Sequence, residues 1–325
     1  MMTSLLIGTI SLSTVFLFGC IGEIITEKAG HLNLGIPGIM CMGTAGGCYG
    51  VSLYMSFAHA NPSYIMLILF AALFAIVFGA VTASIYAFLT ISLHCNQNIT
   101  GLAVTTFGSG FTQFFIDNIV KPSKTPMNDY FDTASKLIKK NLNIADKMGK
   151  FGEIFLSHGI FVYLAIAIAV LTALFFKKTR AGLHLRSIGE NPATADATGI
   201  NVSLYKYLAV IIGGGIAALG GMFYIMDYIG GSWENASTIE ALGWLSVALV
   251  IFSMWKPSIA IIGSLIFSCL FILADALSIA FVYKRIVSLL PYVITIIVLI
   301  VTSVIGGKGV QPPEALGQNY FREER

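Results

Sequence analysis

Apolar residues in this chain run in long unbroken blocks, without the two- or three-residue rhythm of elements that bury a single face. Nine such blocks, near 4–21, 34–58, 63–91, 99–116, 156–176, 207–229, 239–255, 258–281 and 286–305, carry almost no charge. A helix that crosses the hydrocarbon core of a bilayer needs about 18–20 consecutive apolar residues, and blocks of this kind read as such helices. Two are irregular: 34–58 is riddled with glycine and 239–255 is short, so a count of nine has eight and ten as its neighbours. The pattern predicts an all-α integral membrane protein of about nine transmembrane helices, with 1–325 forming a single transmembrane domain.

Composition supports the same class. Of 325 residues, 56% are hydrophobic and 11% charged, against about 25% charged in soluble domains, which leaves too little polar surface to coat a globule in water. The net charge of +3 comes without any basic block interleaved with aromatics, so nucleic acid is not an expected partner. Cys20, Cys41, Cys48, Cys95 and Cys269 are scattered, with no paired or metal-ligand spacing, and read as free thiols packed as small hydrophobes. No metal or cofactor is expected. The N-terminal block lacks the basic start of a secretory signal. Phe18 also occupies a position where a lipoprotein cleavage box before Cys20 wants a small residue, so 4–21 reads as a retained helix.

Two polar stretches lie outside the blocks. Residues 118–155 hold seven lysines diluted by Asp129, Asp132, Asp146 and Glu153, with Asp117 at the edge. Residues 177–206 place Lys177, Lys178 and Arg180 hard against a helix end, followed by Arg186 and Lys206. One span separates the two stretches, so they face opposite sides. Positive charge clustered close to the membrane sets orientation, which puts 177–206 in the cytoplasm and 118–155 outside. With nine spans the N-terminus is then outside and the C-terminus inside. Within 177–206, Asn191 is a natural N-cap, Pro192 fits the first helical position, and Gly199 suits the left-handed residue that ends a helix. A helix of about seven residues is unstable alone and must pack on something. It is either an ordinary surface helix or a docking element.

The run Arg180-Ala181-Gly182-Leu183-His184-Leu185-Arg186-Ser187-Ile188-Gly189-Glu190-Asn191-Pro192, continuing through Gly199-Ile200-Asn201, resembles the cytoplasmic coupling loop of ABC importer permeases. The branch is the one serving ribose, nucleosides and branched-chain amino acids. Three more segments fall in that family's order: Glu23-Ile24-Ile25-Thr26-Glu27-Lys28-Ala29-Gly30 through Asn33-Leu34-Gly35, Gln97-Asn98-Ile99-Thr100-Gly101-Leu102-Ala103, and Gly243-Trp244-Leu245 through Trp255-Lys256-Pro257. The first is most similar to the nucleoside permeases, which a basic membrane lipoprotein typically feeds. Pro37 departs from a glutamate usual there, Thr105-Thr106 replace Leu-Asn, and Ser253 replaces a glycine; these put the substrate in doubt and leave the class intact.

The resemblance implies a membrane permease subunit with broken helices near the N-terminal motif and a short cytoplasmic coupling helix. Gly189, Glu190, Asn191, Pro192, Ala193, Ala197 and Gly199 would engage two ABC ATPase subunits or domains. A second, homologous permease would complete the pore, and an extracytoplasmic substrate-binding protein or lipoprotein would deliver a nucleoside, with 118–155 part of its dock. The runner-up substrates are ribose, another sugar or branched-chain amino acids. The chain has no G-x-x-x-x-G-K-[ST] phosphate loop, so it is read as a transport subunit and not an enzyme, with ATP hydrolysed on separate subunits.

Irregular backbone at membrane depth is tolerated when it is buried in protein or lines a watery cavity. Asn33, Gly35, Pro37 and Gly38 are therefore candidates for the substrate pathway, together with Asn98, Thr100, Thr105 and Thr106. Gly43, Gly46, Gly47 and Gly50 are equally suited to close helix packing. Asp275 is the acid placed well inside a block, a functional candidate by default. It is also the best support for a rival class, the ion-coupled secondary transporter, which would have no use for a docked helix between spans. The five histidines are dispersed and compose no catalytic or metal constellation.

Overall fold

The computed structural model describes residues 2–58, 62–120, 127–139, 149–276, 284, 286–287, 289–305 and 311–321. Among these, all regular structure is helical. In chain order the helices are α1 (Met2–Glu27), α2 (Ile36–Ala58), α3 (Tyr64–Ala87), α4 (Gln97–Phe115), α5 (Met127–Ile138), α6 (Gly149–Phe155), α7 (Ile160–Lys178), α8 (Arg180–Glu190), α9 (Pro192–Ala197), α10 (Val202–Phe223), α11 (Ala236–Phe252), α12 (Pro257–Ala276) and α13 (Leu290–Ile305). Single π-type turns, Phe88–Ser92, Ile116–Val120 and Tyr224–Tyr228, extend α3, α4 and α10. Each of the nine apolar blocks has a helical counterpart here: α1, α2, α3, α4, α7, α10, α11, α12 and α13.

Five helices, Thr3–Glu27, Tyr64–Ser92, Gln97–Val120, Ile160–Lys178 and Val202–Tyr228, are long and apolar enough to cross a membrane. Ala236–Phe252, Pro257–Leu273 and Leu290–Val301 are shorter apolar helices. Their outward faces carry exposed Leu69, Leu73 and Ile85 on α3, Leu171 and Leu174 on α7, and Ile296 and Ile300 on α13. Contiguous exposed aliphatics of this kind belong against lipid.

The centre is α1, α2 and α10, with α3, α4, α11 and α12 around them. The glycine-rich α2 is the most enclosed of these, buried almost without interruption from Ile36 to Val51. Its glycines permit backbone-to-backbone approach: a Cβ at Gly43 would lie 2.2 Å from the Ala218 carbonyl oxygen, and one at Gly221 of α10 only 2.0 Å from that of Met40. Small residues at helix interfaces let dispersion replace the hydrophobic drive that lipid does not supply. Gly43, Gly46, Gly47 and Gly50 therefore pack against neighbouring helices, where the sequence allowed two roles.

The two polar stretches sit at opposite ends of the bundle. At one end the α10–α11 turn meets the 118–155 region, where Trp233 donates to Asp117 (2.8 Å) and Gly231 abuts the Phe131 backbone. Lys121, Lys124, Lys140, Lys147 and Asp146 of that region lie outside the described residues. At the other end, α8 and α9 gather with residues 28–35, the α3–α4 turn, the α11–α12 turn and the C-terminal segment 311–321. The five cysteines are all free thiols, Cys20, Cys41 and Cys48 fully inside the bundle.

Candidate functional site

The α8–α9 element forms as its local chemistry dictates. Thr179 caps α8 by accepting the Gly182 N–H (3.0 Å), and Gly182 leaves no room between α8 and the Phe175 carbonyl. Asn191 Oδ1 accepts the Thr194 N–H (2.9 Å), Pro192 opens α9, and Gly199 closes it at φ +85°. Asn201 then caps α10 through the Leu204 N–H (3.0 Å). Ala195 is buried with Ile188 and Val202, whereas Ala193, Thr194, Ala197 and Thr198 are exposed. The result is a small, flat, rigidly capped surface pointing away from the bundle.

The break after α1 is a compact loop, and it lies at this same end. Glycine takes the left-handed position at Gly30 (φ +80°), with His31 N–H bonded to Thr26 O (3.3 Å) and Gly30 N–H to Glu27 O (2.9 Å). This is the paired 6→1 and 5→2 closure that satisfies the last helical carbonyls. Gly189 at the end of α8 packs straight onto it, since a Cβ there would fall 2.3 Å from the Lys28 carbonyl oxygen. Beyond Gly30, Asn33 Oδ1 accepts the Gly35 N–H (2.9 Å) and starts α2, with Pro37 in its first turn.

Below the loop lies a polar network that the span boundaries hid. Because α1 continues to Glu27, beyond the apolar block 4–21, Glu23 and Glu27 face inward one turn apart and are both buried. Glu23 Oε1 accepts the Asn33 N–H (3.0 Å), and Glu27 accepts from the Trp255 indole N–H. Glu23 Oε2 and Asn33 Nδ2 are left without a partner among the described residues. The i, i+4 spacing of two glutamates was a visible signal for a shared helix face. His31 joins the same end, its Nε2 3.1 Å from Thr90 Oγ1. Burial, and then the nearby Lys206, holds its imidazole well below the ordinary value of 6.5.

The C-terminal segment, which no motif singled out, straps these parts together. Ala315 N–H donates to Gly189 O (2.9 Å), Gly317 N–H to Gly30 O (3.2 Å), Asn319 Nδ2 to His94 O (2.7 Å), and Tyr320 OH to Asp196 Oδ2 (2.8 Å). Gln97 at the start of α4 donates to Asn319 Oδ1 (3.2 Å) and accepts the Leu32 N–H (2.9 Å). Glu190 accepts weakly from the Glu314 N–H (3.4 Å).

The predicted pathway residues divide. Asn33, Gly35, Pro37, Gly38, Thr100 and Thr105 are buried. Thr105 Oγ1 donates to Leu34 O (2.8 Å), and Gly38 meets Gly108 backbone to backbone. They fasten the start of α2 to α4. Asn98 and Thr106 instead face outward on α4, along a stripe that continues to Gly110, where nothing lies within 4 Å of a Cβ. Beside it Phe107, Phe111 and Phe115 stack at 5.7 and 5.3 Å between ring centres. Asp275 lies near the end of α12, and its side chain is outside the described residues.

The family described as branched-chain amino acid transport system / permease component matches residues 5–302 of this chain. The putative glucose ABC transporter permease protein TsgC13 of Haloferax volcanii is 32% identical over 98% of each chain. The nucleoside ABC transporter permease protein NupC of Lactococcus lactis is 29% identical, over 96% of this chain and 95% of its own. The guanosine ABC transporter permease protein NupQ of Bacillus subtilis is 28% identical, over 98% and 96%.

Proposed function

We propose a nucleoside importer from one premise: the chain belongs to the branched-chain amino acid transport system / permease component family, and is a multi-pass permease component of an ABC transporter in the cytoplasmic membrane. Such a component works with ATPase subunits, a substrate-binding protein and a second permease. In our reading the capped surface of Gly189, Glu190, Asn191, Pro192, Ala193, Ala197 and Gly199 is where an ATPase grips, on the cytoplasmic side. ATP is hydrolysed there and not on this chain. The 118–155 region then faces outward, towards the substrate-binding protein.

One observation carries the mechanism: four separated sequence motifs meet at one end of the bundle. The α8–α9 hairpin touches residues 28–35 through Gly189 and Gly30, those residues reach α4 through Gln97 and Thr105, and Trp255 ties the α11–α12 turn to Glu27. A push on α9 thus has a packed, hydrogen-bonded route to the start of α2 and α4. Movement of one packed element against another is a standard way to switch a pathway between sides. The buried group Asn33, Gly35, Pro37, Gly38, Thr100 and Thr105 serves as the hinge of that route. The outward stripe of Asn98 and Thr106 with its phenylalanine ladder lines the pathway opposite the second permease.

The exposed ring of Phe107, with the half-buried Phe111 behind it, suits a nucleobase, which stacks on such rings with about 1–3 kcal/mol per base, and amide and hydroxyl groups suit a ribose. Two relatives are named for nucleoside or guanosine transport. A hexose is the second reading, favoured by the relative named for glucose. Uptake of labelled guanosine, uridine and glucose by cells expressing the complete transporter separates them. Nucleoside uptake that excess glucose leaves untouched is expected; glucose uptake that nucleosides do not compete would replace the substrate while leaving the permease class.

A further inference from the structure

A cavity of about 690 Å³ opens at the coupling end of the bundle, between the ends of α1 and α7, the α8 helix and the α11–α12 turn. Four cations line it, Lys28, Lys177, Arg186 and Lys256, against one acid, Glu190. Among the described residues none of the four has an ion-pair partner. Burial first, and then the charges of Arg186 and Lys256, push the Lys28 ammonium below its ordinary value, with Glu190 and Glu27 opposing. Four like charges against a single carboxylate in one cavity leave a net repulsion, and an anion placed among them relieves that cost.

The rest of the lining says which anion. Trp255 and Met254 hold the turn, both at φ +54°, and Pro257 and Ser258 begin α12 with its positive end turned to the cavity. On the other side the wall is Ala173 and Leu174 of α7, and Leu174 is exposed with the exposed Val170 one turn before it. The opening is therefore charged at the membrane surface and aliphatic just below it. That is the profile of a lipid with a phosphate headgroup and acyl chains. An acidic side chain of a soluble ATPase would find no apolar continuation to match.

We infer that this cavity binds the phosphate headgroup of an anionic phospholipid from the cytoplasmic leaflet, its acyl chains running down α7 past Leu174 and Val170. Basic pockets between membrane helices on the cytoplasmic side recognise such headgroups, each cation contributing about 1 kcal/mol near the surface. Because Arg186 belongs to α8, a bound headgroup bridges the coupling hairpin to Lys28 at the end of α1 and Lys256 at the start of α12. Lipid composition then tunes how firmly the hairpin is held.

The test uses the purified full-length chain in detergent, titrated with phosphatidylglycerol, phosphatidylcholine and inorganic phosphate while bound lipid is counted by native mass spectrometry. Phosphatidylglycerol should bind more tightly than phosphatidylcholine. Arg186→Gln with Lys256→Gln should weaken it roughly thirtyfold, about fivefold per charge removed. Lys178→Gln, an exposed charge outside the cavity, should change nothing. The charge-keeping pair Arg186→Lys and Lys256→Arg should retain binding, which separates a lost site from a misfolded chain. Displacement of the lipid by millimolar phosphate would further support headgroup recognition. Equal binding of the two lipids, or no loss in the double glutamine variant, would overturn the site. Phosphate binding without phosphatidylglycerol binding would overturn the lipid as its source. Loss of a co-purifying ATPase without any lipid effect would overturn it in favour of a protein contact.

Discussion

A β-carbon at Gly221 would sit 2.0 Å from the Met40 carbonyl oxygen and 2.6 Å from Thr44 Oγ1. Neither neighbour can retreat, because one is backbone and the other is a hydroxyl held to Met40 O at 3.2 Å inside α2. Overpacking of a close-packed interior costs about 1–3 kcal/mol, so Gly221→Ala should lower the thermal midpoint in detergent and the yield of monodisperse protein. The exposed Gly110→Ala, with open space around it, should leave both unchanged. His31 gives a second residue-level expectation. Its folded-state value lies below the ordinary 6.5, so the folded chain resists the proton that the unfolded chain accepts. The stability contributed is full above pH 6.5 and is lost as pH falls through and below it. Melting followed across that range should show a drop on the acid side that His31→Gln removes. His158, also lowered by burial, adds to the slope in the same direction.

At the scale of elements, α9 is six residues long and owes its persistence to Asn191, Pro192 and Gly199 at its ends and Ala195 beneath it. Its outer face is small and uncharged. A charge at Ala193 or Ala197 would be desolvated against any docked partner while touching nothing within this chain. Ala193→Asp or Ala197→Lys should therefore insert normally, and lose transport about tenfold or more if the face is the ATPase grip, since an unpaired buried charge costs several kcal/mol. Uptake by either variant at the parent rate, with normal insertion, would remove the assignment. Asn191→Ala should have a milder effect, near the ~1 kcal/mol of a lost cap.

At the scale of the whole molecule, the strap 315–320 ties together the α1–α2 loop, the start of α4, the end of α8 and Asp196 of α9, each more than a hundred residues from it in sequence. Truncation after Gln311 should leave the bundle intact, because among the described strap residues only Leu316 packs against the main core. It should loosen the tie between hairpin and hinge, so that ATP hydrolysed per substrate carried rises several-fold in reconstituted transporter. An unchanged ratio would make the strap a passive cover.

Much of this was legible in the chain. The apolar blocks are set by bilayer thickness, which demands continuous hydrophobic stretches, and Asn191, Pro192 and Gly199 set α9 through contacts within a few residues. The four motifs established the family by their order alone. What the sequence left open was decided by packing between distant segments. Gly43 and Gly50 suited a pathway or a tight interface equally until Ala218 and Phe70 were found against them. Glu23 and Glu27 looked like the polar flank of a span, because the apolar block ends at 21; only the continuation of α1 and the approach of Asn33 and Trp255 made them a buried pair. The break near the N-terminal motif could be read from its residues, and contact with Gly189 placed it beside the α8–α9 hairpin. The strap carries no pattern because its role comes from backbone N–H and C=O groups, which every residue but proline supplies alike. The apolar blocks, α9 and the family resemblance are local or compositional properties that one dimension holds; the joining of those motifs into one end of the bundle exists only once the chain has closed on itself.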